Sequence, residues 1–263
     1  MLIFSALTPH SPLLLPSINK DQIKKVEATT DAMAELADEL YAAKPETIVL
    51  ISEHPTVYPD AFSINLSDPY KFDLSAFGDL GFEKTFRPDM ALIDRLQRSL
   101  RLKNQPVTLT TDEALNYAAA IPLKLLADRL EKVALVPITF CDLSAKEHFQ
   151  FGQAIKDAIF DSDRRVAVIA CGDMSHALTS EAPADFHKDG KAYDDKIQEI
   201  IAQKNSAGLI SIDASVIKNA QQTSYLPLVM LFGLLERVSV RPQILSYEAP
   251  FGVGYLVANF ILK

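Results

Sequence analysis

The stretch LIFSALTPHSPLLLPSINKDQIKKVEATTDAMAELADELYAAKPETIVLIS, residues 2–52, decides the fold class because it contains a strand, a helix and a second strand in that order. LIFSAL at residues 2–7 and TIVLIS at residues 47–52 are apolar runs of strand length. Between them, apolar side chains recur at three- and four-residue steps or their sum, which predicts an amphipathic helix over residues 21–43. Such a unit is typical of parallel sheets covered by helices.

The same alternation continues along the chain. It predicts helices at residues 89–100, 118–130, 145–159, 191–202 and 226–236, strands at 133–139 and 166–171, and two closing strands within ILSYEAPFGVGYLVANFIL, residues 244–262. Residues 55–81 are predicted as a long loop, a feature that is often functional in a compact domain. We therefore predict a single-domain α/β protein over residues 1–263, with a mainly parallel or mixed central sheet flanked by helices and an active site at the carboxyl ends of the strands.

Composition narrows the function classes. The 263 residues are 48% hydrophobic, which is enough for a buried core, and 34 acidic against 26 basic residues give a net charge of −8. No basic run gathers to contact phosphates, so nucleic acid is not an expected partner. The N-terminus lacks a basic leader and no apolar stretch reaches about 18 residues, so we expect a cytoplasmic protein without a membrane segment. Cys141 and Cys171 each end an apolar run, as expected of buried reduced thiols, although a disulfide between them is the alternative.

Three of the five histidines directly follow predicted strands: His10, His54 and His176. Ligands of open parallel sheets bind at the carboxyl ends of the strands, so these imidazoles are expected to converge. Two imidazoles and one carboxylate form the ligand set of non-haem ferrous oxygenases. Glu248 is the candidate carboxylate, because an acidic side chain in the apolar, Gly-rich SYEAPFGVGY needs a cation. The alternatives are hydrogen-bonded loop histidines and a structural ion pair of Glu248.

Four stretches resemble the class III extradiol ring-cleavage dioxygenases, the family of LigB-like catalytic subunits. The second and third of them especially resemble the LigB-like domain found in the AmmeMemoRadiSam group and its stand-alone relatives. The four stretches span the chain, and GDMSHAL and SYEAPFGVGY within them are the most specific. The stretches are TPHSPLLLP (8–16), ISEHPTVYPDAFSINLSDPYKFDLSAFGD (51–79), IACGDMSHALTSEAPADFHKDGKAYDD (169–195) and SYEAPFGVGYLVA (246–258).

The resemblance implies a chemistry and a set of roles. It implies Fe(II) held by His10, His54 and Glu248, with His176 as the acid/base, acting on a catechol-type or related small aromatic diol with O2. Imidazole suits proton transfer at neutral pH because its ordinary pKa is about 6.5. Asp173, three residues before the acid/base, is a candidate to orient it, or else a turn or helix-cap residue. The family's habit of pairing implies a homodimer.

The chain departs from the family pattern at two positions. Tyr117, in NYAAAIPLKLL (116–126), stands where the family usually has a second active-site histidine. A phenol, with an ordinary pKa of about 10, is a poor base but can donate a hydrogen bond to substrate or oxygen. Glu53 stands where the family typically has proline, and it is either an added carboxylate near the metal or an exposed loop residue.

Three functions therefore remain open. The first is an Fe(II)-dependent extradiol dioxygenase. The second is a metal-binding or regulatory protein of the same fold without ring-cleavage activity, for which Tyr117 is the main support. The third is a zinc hydrolase, because two histidines and a carboxylate also form a catalytic Zn²⁺ site.

Overall fold

The strands form around the apolar runs of the sequence. A computed structural model describes residues 1–53, 56–72, 74–79 and 84–263. In these residues it contains eleven strands: β1 (Leu2–Thr8), β2 (Thr47–Ile51), β3 (Phe62–Asn65), β4 (Lys71–Phe72), β5 (Arg87–Pro88), β6 (Val107–Thr110), β7 (Ala114–Leu115), β8 (Ala134–Thr139), β9 (Val166–Cys171), β10 (Val240–Glu248) and β11 (Tyr255–Leu262).

Eight α-helices occur in the same described ranges, and most of them match the predicted periodic segments. They are α1 (Glu27–Ala43), α2 (Met90–Leu102), α3 (Tyr117–Ala127), α4 (Ala145–Phe160), α5 (Lys188–Gln203), α6 (Ser206–Ile210), α7 (Ala214–Ala220) and α8 (Tyr225–Leu234). The α4 N-terminus is closed by a capping box, in which Ser144 and Glu147 each accept a backbone N–H of the other.

The central sheet is mixed, as predicted. Its strand order is β10-β11-β1-β9-β2-β8-β3-β6, with β5 also paired to β8. Strands β1, β9, β2 and β8 run parallel to one another, whereas β11 is antiparallel to both β1 and β10, and β3 is antiparallel to β8. Strand β10 therefore runs in the same direction as β1, and the carboxyl ends of β10, β1 and β9 lie at the same end of the sheet.

Helices cover both faces of the sheet, and strand β2 shows how. All of its residues are buried. Val49 and Ile51 belong to the core formed with α2, α4, α5 and α8, whereas Ile48 and Leu50 belong to the core formed with α1 and α3. Successive strand side chains point to opposite faces, so a strand between two helical layers must be apolar throughout. This is why TIVLIS is a continuous apolar run.

The segment over residues 55–81 differs from its prediction as one long loop. It contains the buried strand β3, the short strand β4 and a 3₁₀ turn at Ser75–Phe77. Strand β3 has only four residues, and its pairing with β8 and β6 stabilises it. The predicted helix over residues 21–43 is also divided, since its first turn is the 3₁₀ segment Ile23–Val26 and the α-helix begins at Glu27.

Both cysteines are buried and free, so the predicted reduced thiols are confirmed. The Thr8 hydroxyl donates to the Cys171 sulfur at 3.5 Å, and burial raises the pKa of Cys171 to about 12. Among the residues that the structure describes, no helix is long and apolar enough to cross a membrane.

Candidate functional site

The register between β1 and β9 brings His10 and Asp173 together. Thr8 is the Cα partner of Cys171 at the carboxyl ends of these two parallel strands. His10 and Asp173 each follow that pair by two residues, and the His10 backbone N–H donates to Asp173 Oδ1 at 2.9 Å. Parallel pairing therefore joins two residues that are 163 positions apart in the sequence.

The Asp173 carboxylate lies between two imidazoles. Its Oδ2 atom is 3.9 Å from His10 Nε2 and 3.8 Å from His176 Nε2. The Asp173 side chain is 6% exposed, so water screens its charge only weakly. The carboxylate fixes the loop of His10 and lies near both rings, as the orienting role predicted for Asp173 requires.

A backbone carbonyl determines the tautomer of His176. His176 Nδ1 lies 2.7 Å from the carbonyl oxygen of Gln221. A carbonyl can only accept, so Nδ1 carries the proton, and Nε2 of the neutral ring has a free lone pair. That nitrogen is the one nearest Asp173 Oδ2. The ring is therefore prepared to take a proton at Nε2 and to return it.

His10 is buried, with a side chain that is 2% exposed, and one of its nitrogens lacks a hydrogen-bond partner in the part of the chain that the structure describes. Nε2 lies 3.2 Å from Thr223 Oγ1, while Nδ1 is the unpartnered atom. If Nε2 donates to the hydroxyl, Nδ1 keeps a free lone pair. A buried nitrogen without a partner is costly, and a bound metal ion would satisfy it.

A cavity of about 340 Å³ opens beside these residues. Its lining includes four of the predicted site residues, His10, Tyr117, Asp173 and His176, with Ser11, Pro12, Leu13, Ile18, Phe77, Pro183, Phe251, Val253 and Tyr255. The volume suits a small aromatic molecule.

Tyr117 packs against His10. The two rings meet edge to face with centroids 5.5 Å apart. Burial raises the pKa of Tyr117, and the charges of Glu53 and Asp173 raise it further. The phenol therefore stays protonated at neutral pH and can act as a hydrogen-bond donor rather than as a base. Its contact with His10 fits the position of an active-site residue, and Glu53 is close enough to act on it electrostatically.

Glu248 lies at the same end of the sheet as His10 and Asp173 but does not line the cavity. It ends β10, where its Cα partner is Tyr255, whose side chain does reach the cavity. Glu248 Oε1 accepts from the backbone N–H of Thr29 at 2.7 Å and from the Thr29 hydroxyl at 2.5 Å. Thr29 lies in the first turn of α1, where backbone N–H groups lack helical acceptors. Glu248 thus stabilises the start of α1.

The predicted ligand His54 lies outside the described residues. Within the described ranges, no three His, Cys, Asp or Glu side chains are grouped as metal ligands. The structure thus brings together His10, Asp173, His176 and Tyr117 and places Glu248 at the neighbouring strand end.

Sequence reasoning missed Thr223 and Gln221. Both residues lie in the segment before α8, outside the sheet, and contact the site residues. The Asp173 backbone N–H donates to Thr223 Oγ1 at 2.8 Å, and Thr223 in turn contacts His10. Gly172 permits this approach, because a Cβ at that position would lie 2.5 Å from the Thr223 carbonyl oxygen. The glycine of GDMSH was the available signal, since it indicates close packing at the end of a strand.

A further missed residue is Asp194, which supports the turn before His176. Its Oδ1 accepts from the Ser175 backbone N–H at 2.8 Å, and its Oδ2 accepts from the Tyr247 hydroxyl at 2.7 Å. Burial raises the pKa of Asp194 to about 6. The hydrogen bonds from Tyr247 and Ser175 and the charge of Lys191 oppose this rise, whereas the charge of Asp195 adds to it.

Asp194 gives a testable pH dependence of stability. Its pKa is higher in the folded chain than the ordinary value of about 3.9, so its contribution to stability is fully present below about pH 4 and is lost as the pH rises through about 6. We expect Asp194→Asn to remove this loss, which is on the order of 2–3 kcal/mol. Urea unfolding of the protein and the variant at pH 4, 5, 6 and 7 measures the difference. Asp31→Asn, at an exposed aspartate of α1, is the control, and parallel pH curves for wild type and Asp194→Asn would contradict the assignment.

The two remaining histidines have structural roles. His148 is buried in α4, where its Nδ1 lies 2.9 Å from the Ser144 carbonyl oxygen and its Nε2 accepts from the Cys141 backbone N–H. His187 is the N-cap of α5 and accepts from the Asp189 backbone N–H. Neither lines the cavity.

Comparison with known proteins agrees with the fold and with the sequence motifs. A family model described as the catalytic LigB subunit of aromatic ring-opening dioxygenase matches residues 5–258. Protein CA_C1420 of Clostridium acetobutylicum is 25% identical over 258 residues, which cover 95% of this chain and 55% of that protein, so the chain spans about half the length of this curated relative. The crystal structure of the uncharacterized protein JW3007 from Escherichia coli K12 superimposes with a TM-score of 0.66 at 15% identity, covering 98% of this chain and 99% of that one. This structural likeness shows a shared fold.

Proposed function

Because the chain belongs to the LigB family, the catalytic subunits of aromatic ring-opening dioxygenases, we propose that it is an Fe(II)-dependent extradiol dioxygenase. It acts on a catechol-type or related small aromatic diol with O2. The observation that carries the proposal is the pair of imidazoles, His10 and His176, on either side of the Asp173 carboxylate at the wall of one apolar cavity.

The proposed iron ligands are His10, His54 and Glu248. Dioxygenases of this family are generally Fe(II)-dependent, and the unpartnered, buried nitrogen of His10 is suited to a metal ion. Bound Fe(II) would supply the redox chemistry by which the diol reacts with O2. Imidazole and carboxylate donors with open positions are the set that non-haem ferrous oxygenases use.

The residues around the cavity would handle protons and position the substrate. His176 accepts a proton from a diol hydroxyl at Nε2, because Nδ1 already carries a proton and donates it to the Gln221 carbonyl. Asp173 stabilises the resulting imidazolium. Tyr117 donates a hydrogen bond to the bound substrate, and the apolar walls exclude water from the ring.

Anaerobic reconstitution tests the proposal. Protein loaded with Fe(II) and then mixed with catechols in air should consume O2 and form yellow ring-opened products. We expect His10→Ala to lose both bound iron and O2 uptake, because a ligand is removed. The Zn²⁺-loaded protein is the control for metal identity, since zinc has no redox chemistry. Iron binding without O2 uptake on any diol would contradict the dioxygenase and favour the metal-binding protein, while ester or amide hydrolysis by the zinc form would favour the hydrolase.

A further inference from the structure

The cavity walls facing the site are apolar. Leu13 and Ile18 come from the segment after β1, Phe77 from the 3₁₀ turn, and Phe251 and Val253 from the connection between β10 and β11. The described lining residues include neither lysine nor arginine. An acidic substituent on a substrate ring would therefore meet no fixed positive side chain there.

The residues that the structure does not describe add no lysine or arginine to this part of the chain. Residues 54–55, 73 and 80–83 read HP, D and LGFE, so they contain no lysine or arginine. Their ionisable members at neutral pH are two carboxylates and one imidazole, and that imidazole is the proposed ligand His54.

Lys25 and Lys124 lie on segments next to lining residues, and both already have interaction partners. Lys25 is exposed, lies 5.7 Å from the ring centroid of Phe251 and donates to Gln22 Oε1 at 2.9 Å. Lys124 on α3 forms a 2.5 Å ion pair with Asp79. The positive charge of Lys124 is thus balanced by a carboxylate, and that of Lys25 lies over an aromatic ring at the surface.

When the two imidazoles are neutral, the charged side chain in the described lining is the Asp173 carboxylate. A second carboxylate, Glu248, lies at the adjoining strand end, where Tyr255 of the lining is its Cα partner. The described side-chain charges at the cavity are therefore negative.

We propose that this cavity selects an aromatic diol with uncharged, apolar substituents and discriminates against ring acids. The proposal rests on the function proposed above and specifies its substrate class. An acid group on the ring would have to leave water for apolar walls without a lysine or arginine to pair with, and the nearby carboxylates would repel it. An apolar substituent would instead gain from burial against Leu13, Ile18 and Phe251.

The test compares two diols that differ in charge but hardly in shape: 3,4-dihydroxybenzamide, which is neutral, and 3,4-dihydroxybenzoate, which is an anion. We expect the iron-loaded enzyme to turn over the amide with a kcat/KM about 10- to 100-fold higher than the acid, given the usual cost of an unpaired buried group. Equilibrium dialysis of both compounds against the zinc-loaded protein measures binding without turnover, and it should give the same order. 4-Methylcatechol should resemble or exceed the amide.

The two readouts separate the two proposals. Preferential binding of the amide without any O2 uptake would support the charge selection and contradict the dioxygenase. Turnover with equal or higher kcat/KM for the acid, or equal binding of acid and amide, would overturn the charge selection while leaving the dioxygenase intact. Binding of neither compound by the zinc form and turnover of neither by the iron form would overturn both.

A variant with an added charge provides a positive test. Ile18 lines the cavity and is only partly buried, so a lysine there can keep its ammonium group near water. We expect Ile18→Lys to raise the relative kcat/KM for 3,4-dihydroxybenzoate over the amide by about two- to fivefold, as one partly exposed ion pair would. Ile18→Met is the matched uncharged control. An unchanged acid-to-amide ratio in Ile18→Lys, with both diols still turned over, would count against selection by charge.

Discussion

Replacement of His176 by alanine is expected to lower kcat/KM for ring cleavage by about 10²- to 10⁴-fold, the usual contribution of a positioned acid/base. The physical reason is the fixed tautomer, since the Gln221 carbonyl leaves Nε2 as the nitrogen that takes the proton. His176 is not among the proposed ligands, so the iron content should stay near that of wild type. Oxygen uptake and metal analysis of the same reconstituted sample measure both quantities.

His187→Asn provides the matched control for this variant. His187 lies at the N-terminus of α5, and asparagine can replace it as an N-cap. Its activity should remain near wild type. Full activity in His176→Ala, with normal iron content, would show that another group moves the proton and would remove the main catalytic assignment.

The second large effect is expected at Glu248, which has two roles that conservative changes can separate. Glutamine keeps an oxygen that accepts from Thr29, so Glu248→Gln should preserve the start of α1 and change the thermal midpoint little. It removes the negative charge, and we expect iron retention to fall by more than about tenfold, since even changes outside the ligand set cost 10- to 100-fold. Iron bound after gel filtration of the reconstituted protein measures retention.

Thr29→Ala is the reciprocal control for Glu248. It removes the hydroxyl that donates to the carboxylate and leaves the carboxylate in place. We expect a loss of roughly 0.5–2 kcal/mol in the free energy of unfolding, with iron retained. If Glu248→Gln retained iron as wild type does, the carboxylate would serve only the helix, and the third ligand would have to be sought elsewhere.

Much of the fold was predictable because its elements are long and periodic. The apolar run of β2 and the helical spacing of α1 can be recognised from the sequence without tertiary information. Strand β3 does not, because its four residues gain their stability from neighbours on both sides. The helices α6 and α7 have five and seven residues and begin at the caps Asn205 and Asp213, so their periodicity is too short to detect.

The candidate site was predictable to the extent that strand ends predict convergence. His10, Asp173 and His176 meet because β1 and β9 are parallel neighbours. Gly172 indicates close packing at the end of β9, but it does not identify the residues that pack there. Gln221 acts through a backbone carbonyl, and Thr223 acts through a hydroxyl in a segment without a motif. The capping role of Glu248 was equally hidden, because it depends on where α1 starts relative to β10.

The position of β1 in the sheet has a consequence for biosynthesis. Strand β1 lies between β9 and β11 in the sheet, and both partners follow it in the chain, with their last residues at positions 171 and 262, respectively. During synthesis, β1 is therefore an apolar strand with two open edges until these residues have been made, a species prone to aggregate and suited to chaperone binding. His10, which follows this strand, cannot meet Asp173 before β9 has been made.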